Sequence, residues 1–110
     1  MNFNKMRSSN DISKATAKFA ASRDLEVLLY NQIDDLGRIE NRFIEIWPAD
    51  ENAEMPFVTY LINVDQDSLQ LYAKHTDCNK AHGKGNIEDL LYTIRTDKEL
   101  RQVIEHIYNA

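Results

Sequence analysis

The chain has 110 residues, 43% of them hydrophobic and 28% charged, with a formal net charge of −5. That length suits one domain, and a chain of this size buries enough apolar surface to need neither disulfide nor metal. The composition argues against a wholly disordered chain, no apolar run approaches the roughly 20 residues that span a bilayer, and a net negative charge without a basic run disfavours direct nucleic-acid binding.

Residues 1–9 are expected as a flexible polar tail, and residues 10–110 as a single domain. The opening Met1–Arg7 stretch lacks the apolar core of a signal peptide, and the one cysteine, Cys78, has no internal partner. Both features predict a reducing, cytoplasmic setting. From a cap at Asn10, the apolar residues Ile12, Ala15, Phe19 and Ala20 recur at helical spacing around one polar position, Thr16. A second stripe, Leu25, Leu28, Leu29, Ile33 and Leu36, predicts a continuation of that helix or a second short one, with Gly37 as its stop.

The period then changes. Arg42–Trp47 is β-branched and aromatic and is closed by Pro48, which predicts a strand. Residues 48–56 form a polar, acidic loop. Residues 57–64 are apolar on both faces, as expected of a central strand, and Asp65-Gln66-Asp67-Ser68 is turn chemistry. Leu69, Leu71 and Ala73 alternate with Gln70, Tyr72 and Lys74, predicting a half-buried strand in a hairpin. Asn86 is placed to cap a helix carrying Ile87, Leu90, Leu91 and Ile94 on one face. Thr96-Asp97-Lys98-Glu99 matches a capping box ahead of Leu100, Val103, Ile104, Ile107 and Tyr108. The expected fold is therefore α+β: a small three-stranded antiparallel sheet packed against N-terminal and C-terminal helices, in the order α-α-β-β-β-α-α.

No catalytic motif emerges from the residues. His75, Cys78 and His82 supply metal-ligand chemistry in an H-x2-C-x3-H loop, and a small-molecule or metal-binding enzyme using that loop is one alternative. The spacing is non-standard, however, and no second ligand pair exists. A nucleophilic Cys78 would need an activating base and an oxyanion site that the sequence does not show. Gly83-Lys84-Gly85-Asn86 ahead of a helix could bind phosphate, but the longer nucleotide-loop pattern is missing. No cofactor is implied.

Charge is the uneven feature. Residues 1–42 hold seven Lys/Arg against six Asp/Glu, residues 69–110 hold six of each, and residues 43–68 hold six acids and no Lys or Arg. Those acids are Glu45, Asp50, Glu51, Glu54, Asp65 and Asp67, and Trp47 lies among them. The bland explanation is that loops and turns are acidic because they face water. The functional one is a protein-binding surface that uses charge for steering and aromatics for anchoring. It predicts a non-catalytic module that docks on a basic protein partner, as an inhibitor or an immunity-type protein docks on a nuclease toxin. A secretion chaperone or assembly subunit is the other binding class to consider.

Overall fold

The computed structural model describes residues 2–85 and 87–110. Helix α1 (Lys14–Ala21) is capped by Ser13, whose Oγ accepts from the N–H of Thr16 at 3.2 Å. The helix expected to follow it does not form. Past Asp24, which takes a positive φ of 57°, residues Leu25–Ile33 run extended as strand β1. Leu25, Val27 and Leu29 face the core, a period of two that the leucines at 25, 28 and 29 disguise as helical. Gly37 stops no helix either. Its φ of +79° and its N–H bond to the Asp34 carbonyl at 3.0 Å place it in the turn leading to strand β2 (Ile39–Pro48). A left-handed glycine serves a helix end and a hairpin equally well. Asp34 closes the turn by accepting from the backbone N–H groups of Arg38 and Leu36, which hold its carboxyl below the usual carboxylate range.

Strands β3 (Val58–Asn63) and β4 (Ser68–Lys74) lie where the sequence predicts them. After β4 come a short helix α2 (Thr76–Ala81), strand β5 (Thr93–Ile94) and helix α3 (Asp97–Asn109). Among the described residues the strands build one five-stranded antiparallel sheet in the order β1-β2-β3-β4-β5. The α+β class holds. The three-stranded sheet and the α-α-β-β-β-α-α order are overturned, because one expected helix is a strand and a second gives way to a short strand.

The second replacement has a tertiary cause. Leu91 offers its carbonyl to the buried Tyr60 hydroxyl at 2.7 Å, and Tyr92 offers its carbonyl to the N–H of Leu71 at 2.7 Å. Those acceptors would serve the helix ladder if residues 87–94 were helical, and Asp89 at φ 59° confirms that they are not. Burial pushes the Tyr60 phenol well above its ordinary range, consistent with a hydroxyl held as a donor. The proposed cap at Asn86 lies outside the described residues. Thr96, by contrast, caps α3 as predicted, its Oγ1 accepting from the N–H of Glu99 at 3.1 Å. Glu99 reaches back to the N–H of Arg95 at 2.9 Å, one residue before the cap itself.

Helices α1 and α3 cover one face of the sheet. Leu100, Val103, Ile104 and Ile107 of α3 join Ile44, Ile46, Val58, Tyr60, Ile62, Leu69 and Ile94 in one core. Each such side chain contributes about 1.5–3 kcal/mol by leaving water. The opening residues, expected as a loose tail, add Phe3 and Met6 to that core and form two short 3-10 turns, Phe3–Lys5 and Ser9–Asp11. Among the described residues, no helix is long and apolar enough to cross a membrane.

Candidate functional site

Among the described residues, no helix lies over the other face of the sheet. Side chains alternate along a strand, so the residues between the core positions of β1 to β4 look outward. β1 brings Tyr30 opposite Phe43 of β2, and Phe43 lies opposite Leu61 of β3. The β3–β4 register shifts between Thr59 and Tyr60, so that Thr59 pairs with Ala73 and Tyr60 with Leu71. Tyr72 is left as the extra residue of a bulge, the device by which a strand re-aims a side chain. It turns over β3 to meet Phe43 with ring centroids 4.9 Å apart, and Tyr30 flanks Phe43 from the other side at 6.2 Å. As a result Phe43 is only 5% exposed on an uncovered face, whereas Tyr30 and Tyr72 are 52% and 64% exposed.

Beside the rings stands a carboxylate with few partners. Glu45 Oε1 accepts from Trp47 Nε1–H at 3.2 Å, and Oε2 lies 3.5 Å from the Thr59 hydroxyl, a weak contact. His75 Nε2 sits 3.2 Å from the same hydroxyl. If the single Thr59 proton points to Glu45, the His75 Nε2–H must be the donor to Thr59 Oγ1. Among the described residues no Lys or Arg pairs with Glu45. Tyr30, Phe43, Glu45, Thr59, Tyr72 and His75 surround a shallow depression of about 240 Å³. Of the residues that pleat alternation puts on this face of β1 to β4, Glu26 and Glu45 are acidic and none is Lys or Arg.

The acidic residues singled out from the sequence are not one patch. Glu45 and Trp47 lie on the open face. Asp50, Glu51 and Glu54 are exposed in the β2–β3 loop, which continues from the Trp47 end of that face. Asp65 and Asp67 belong to the β3–β4 turn at the opposite end of the sheet. Asp67 has a structural task there, taking φ 50° and accepting from the N–H of Asn4 at 2.9 Å. Asp77 of α2, outside the acidic segment, joins Glu54 along a cleft of about 360 Å³ between the loop and α2. Sequence reasoning missed Glu26, Tyr30 and Tyr72. The first two sat in an expected helix, and the aim of Tyr72 depends on a bulge that has no sequence signature here.

His75, Cys78 and His82 are not brought to one point. His75 turns toward Thr59, the Cys78 thiol donates to the Met55 carbonyl at 3.2 Å, and His82 sets its ring edge-on to Phe57 at 5.8 Å. Among the described residues, no three His, Cys, Asp or Glu side chains converge as metal ligands. Burial pushes the Cys78 thiol up, the reverse of what a nucleophile requires. The native protein should therefore react with a thiol reagent at least about tenfold more slowly than the urea-unfolded chain. Equal rates of colour development with Ellman's reagent would contradict this burial. The Gly83-Lys84 pair ends a helix instead of starting one. Gly83 at φ +70° donates to the Lys80 carbonyl, and Lys84 N–H donates to the Asn79 carbonyl at 2.8 Å, which together finish α2 as a Schellman turn.

Fold and surface thus define an α+β protein with a one-sided antiparallel sheet, helices on one face and an aromatic, anionic face left open. Comparison with protein-family models, with curated proteins and with solved structures finds no match to this chain.

Proposed function

We propose that this chain is a non-catalytic protein-binding module that docks its open sheet face, with the acidic β2–β3 loop at its margin, onto a basic protein partner. The supporting observation is the composition of that face: exposed Tyr30 and Tyr72 around Phe43, with Glu26 and Glu45, which among the described residues pair with no Lys or Arg. Exposed tyrosines on a rigid sheet supply large contact area at small entropic cost, the usual make-up of a binding hot spot. Carboxylates around them speed encounter with a basic surface and disfavour an acidic one. An inhibitor or immunity-type role, masking a basic cleft such as that of a nuclease toxin, is the form that this size and charge favour. The same proposal takes the setting as cytoplasmic, in keeping with the one buried, unpaired cysteine.

The proposal relocates the contact from the acidic sequence segment to a surface. Asp65 and Asp67 drop out of it, and Glu26 enters. With the partner recovered from source cells by the intact protein, Glu26→Lys/Glu45→Lys should lower the association rate about tenfold or more at low salt. Glu51→Lys/Glu54→Lys should flatten its salt dependence while leaving dissociation nearly unchanged. Stopped-flow association rates equal to wild type for both double variants, across salt concentrations, would sink the proposal.

A further inference from the structure

We infer that the depression between Tyr30, Phe43 and Tyr72 is a receptor for a single arginine side chain of the partner, with Glu45 as its counter-ion. The inference rests on the proposal that the open face meets a protein, and goes beyond it by naming the group recognised. Three observations converge on it. Tyr30 and Tyr72 are exposed rings on either side of the buried Phe43, and exposed aromatic rings are surfaces on which a planar cation stacks. The Glu45 carboxylate beside them is oriented by the Trp47 indole N–H and has no Lys or Arg partner among the described residues. Its two oxygens each have further acceptor capacity beyond the Trp47 and Thr59 contacts. The volume of about 240 Å³ falls below the roughly 300–1,000 Å³ of small-molecule pockets but accommodates one long side chain.

Arginine fits this geometry better than lysine. A guanidinium stacks its plane on a tyrosine while directing a fork of N–H donors at a carboxylate, whereas an ammonium is a strongly hydrated point charge. The Trp47 indole N–H holds the Glu45 carboxylate, so that it meets the incoming group already oriented. Such a residue buried at the centre of a protein interface is a hot spot by type and by position.

The test uses the full-length protein and three blocked heptapeptides that carry arginine, lysine or citrulline at the centre of a Gly/Ser sequence. Binding is followed by NMR on the Trp47 indole N–H and on the Tyr30 and Tyr72 rings. The arginine peptide should shift these signals saturably at millimolar concentration, the lysine peptide several-fold more weakly, and the citrulline peptide not at all. Glu45→Gln should weaken the arginine peptide about tenfold, since a charge-assisted contact becomes a neutral one. Tyr72→Ala, at an exposed position that leaves the core intact, should also weaken it several-fold. Glu51→Gln/Glu54→Gln should leave it unchanged. Equal responses to arginine and citrulline, or an arginine affinity that ignores Glu45→Gln, overturns the inference. If the peptides miss the pocket while partner association still responds to charge reversal at Glu26 and Glu45, the arginine receptor falls and the docking proposal stands.

Discussion

Replacing Phe3 by alanine should cost about 3–5 kcal/mol of stability, the usual range for emptying a fully buried aromatic site. The side chain is 0% exposed and belongs to the same core as Ile44, Tyr60 and Leu69. Its segment is held by more than that contact. Asn4 N–H donates to Asp67, and the N–H groups of Arg7 and Ser8 donate to the Asp11 carboxylate. The neighbouring Ser9 hydroxyl accepts from the N–H of Leu29 at 2.9 Å, occupying part of the free edge of β1. In a domain of about this size the loss should lower Tm by more than about 10 °C. Urea unfolding of the variant should show an earlier midpoint with a similar slope. A change within about 0.5 kcal/mol is what a loose tail would give, and it would refute the docked position of these residues.

Removing the Asp97 carboxylate should cost about 2–4 kcal/mol, far more than an exposed helix residue normally does. Asp97 sits in the first turn of α3 and takes hydrogen bonds from the Ser13 hydroxyl at 2.8 Å and the Thr16 hydroxyl at 2.6 Å. The Arg101 guanidinium closes on the same carboxylate, and also reaches Thr16 Oγ1 at 3.2 Å. The N-termini of both covering helices thus converge on one anion, where their dipoles favour it. Thr16 is wholly buried, so in Asp97→Ala its hydroxyl loses the carboxylate acceptor. Asp97→Asn keeps the shape and should lose less. Equal denaturation midpoints for wild type and Asp97→Ala would show that Thr16 and Ser13 find other acceptors. The polar Thr16 on an otherwise apolar helical face, visible in the sequence, is explained by this bond.

Some of the candidate surface was legible from the residues. Glu45 and Trp47 stand out by charge and aromaticity, and both lie on the open face. Tyr72 falls on the outward side of the strand's alternation, but nothing in Leu71-Tyr72-Ala73 announces the bulge that aims it at Phe43. The acidic run from Glu45 to Asp67 is continuous in sequence but not in space. Antiparallel strands carry the chain to the other end of the sheet within six residues, Val58–Asn63, and so separate Glu54 from Asp65.

By itself the sequence determined the features whose cause is local. The Thr96–Glu99 cap and the stripe from Leu100 to Ile107 specify α3, since capping and a 3.6-residue period act within a few turns. β-Branched runs closed by Pro48 and by the Asp65–Asp67 turn specify β2, β3 and β4 in the same way. Only the tertiary structure decided what Leu25–Ile33 and residues 87–94 become. The first has side chains suited to either period, and nine residues of pairing with β2 settle it as a strand. The second surrenders its carbonyls to Tyr60 and Leu71, groups far away in the chain. Hydrogen-bonding groups that distant partners claim cannot be read from their neighbours. The same rule holds for the open face, whose rings come from three strands and meet only once the sheet is formed.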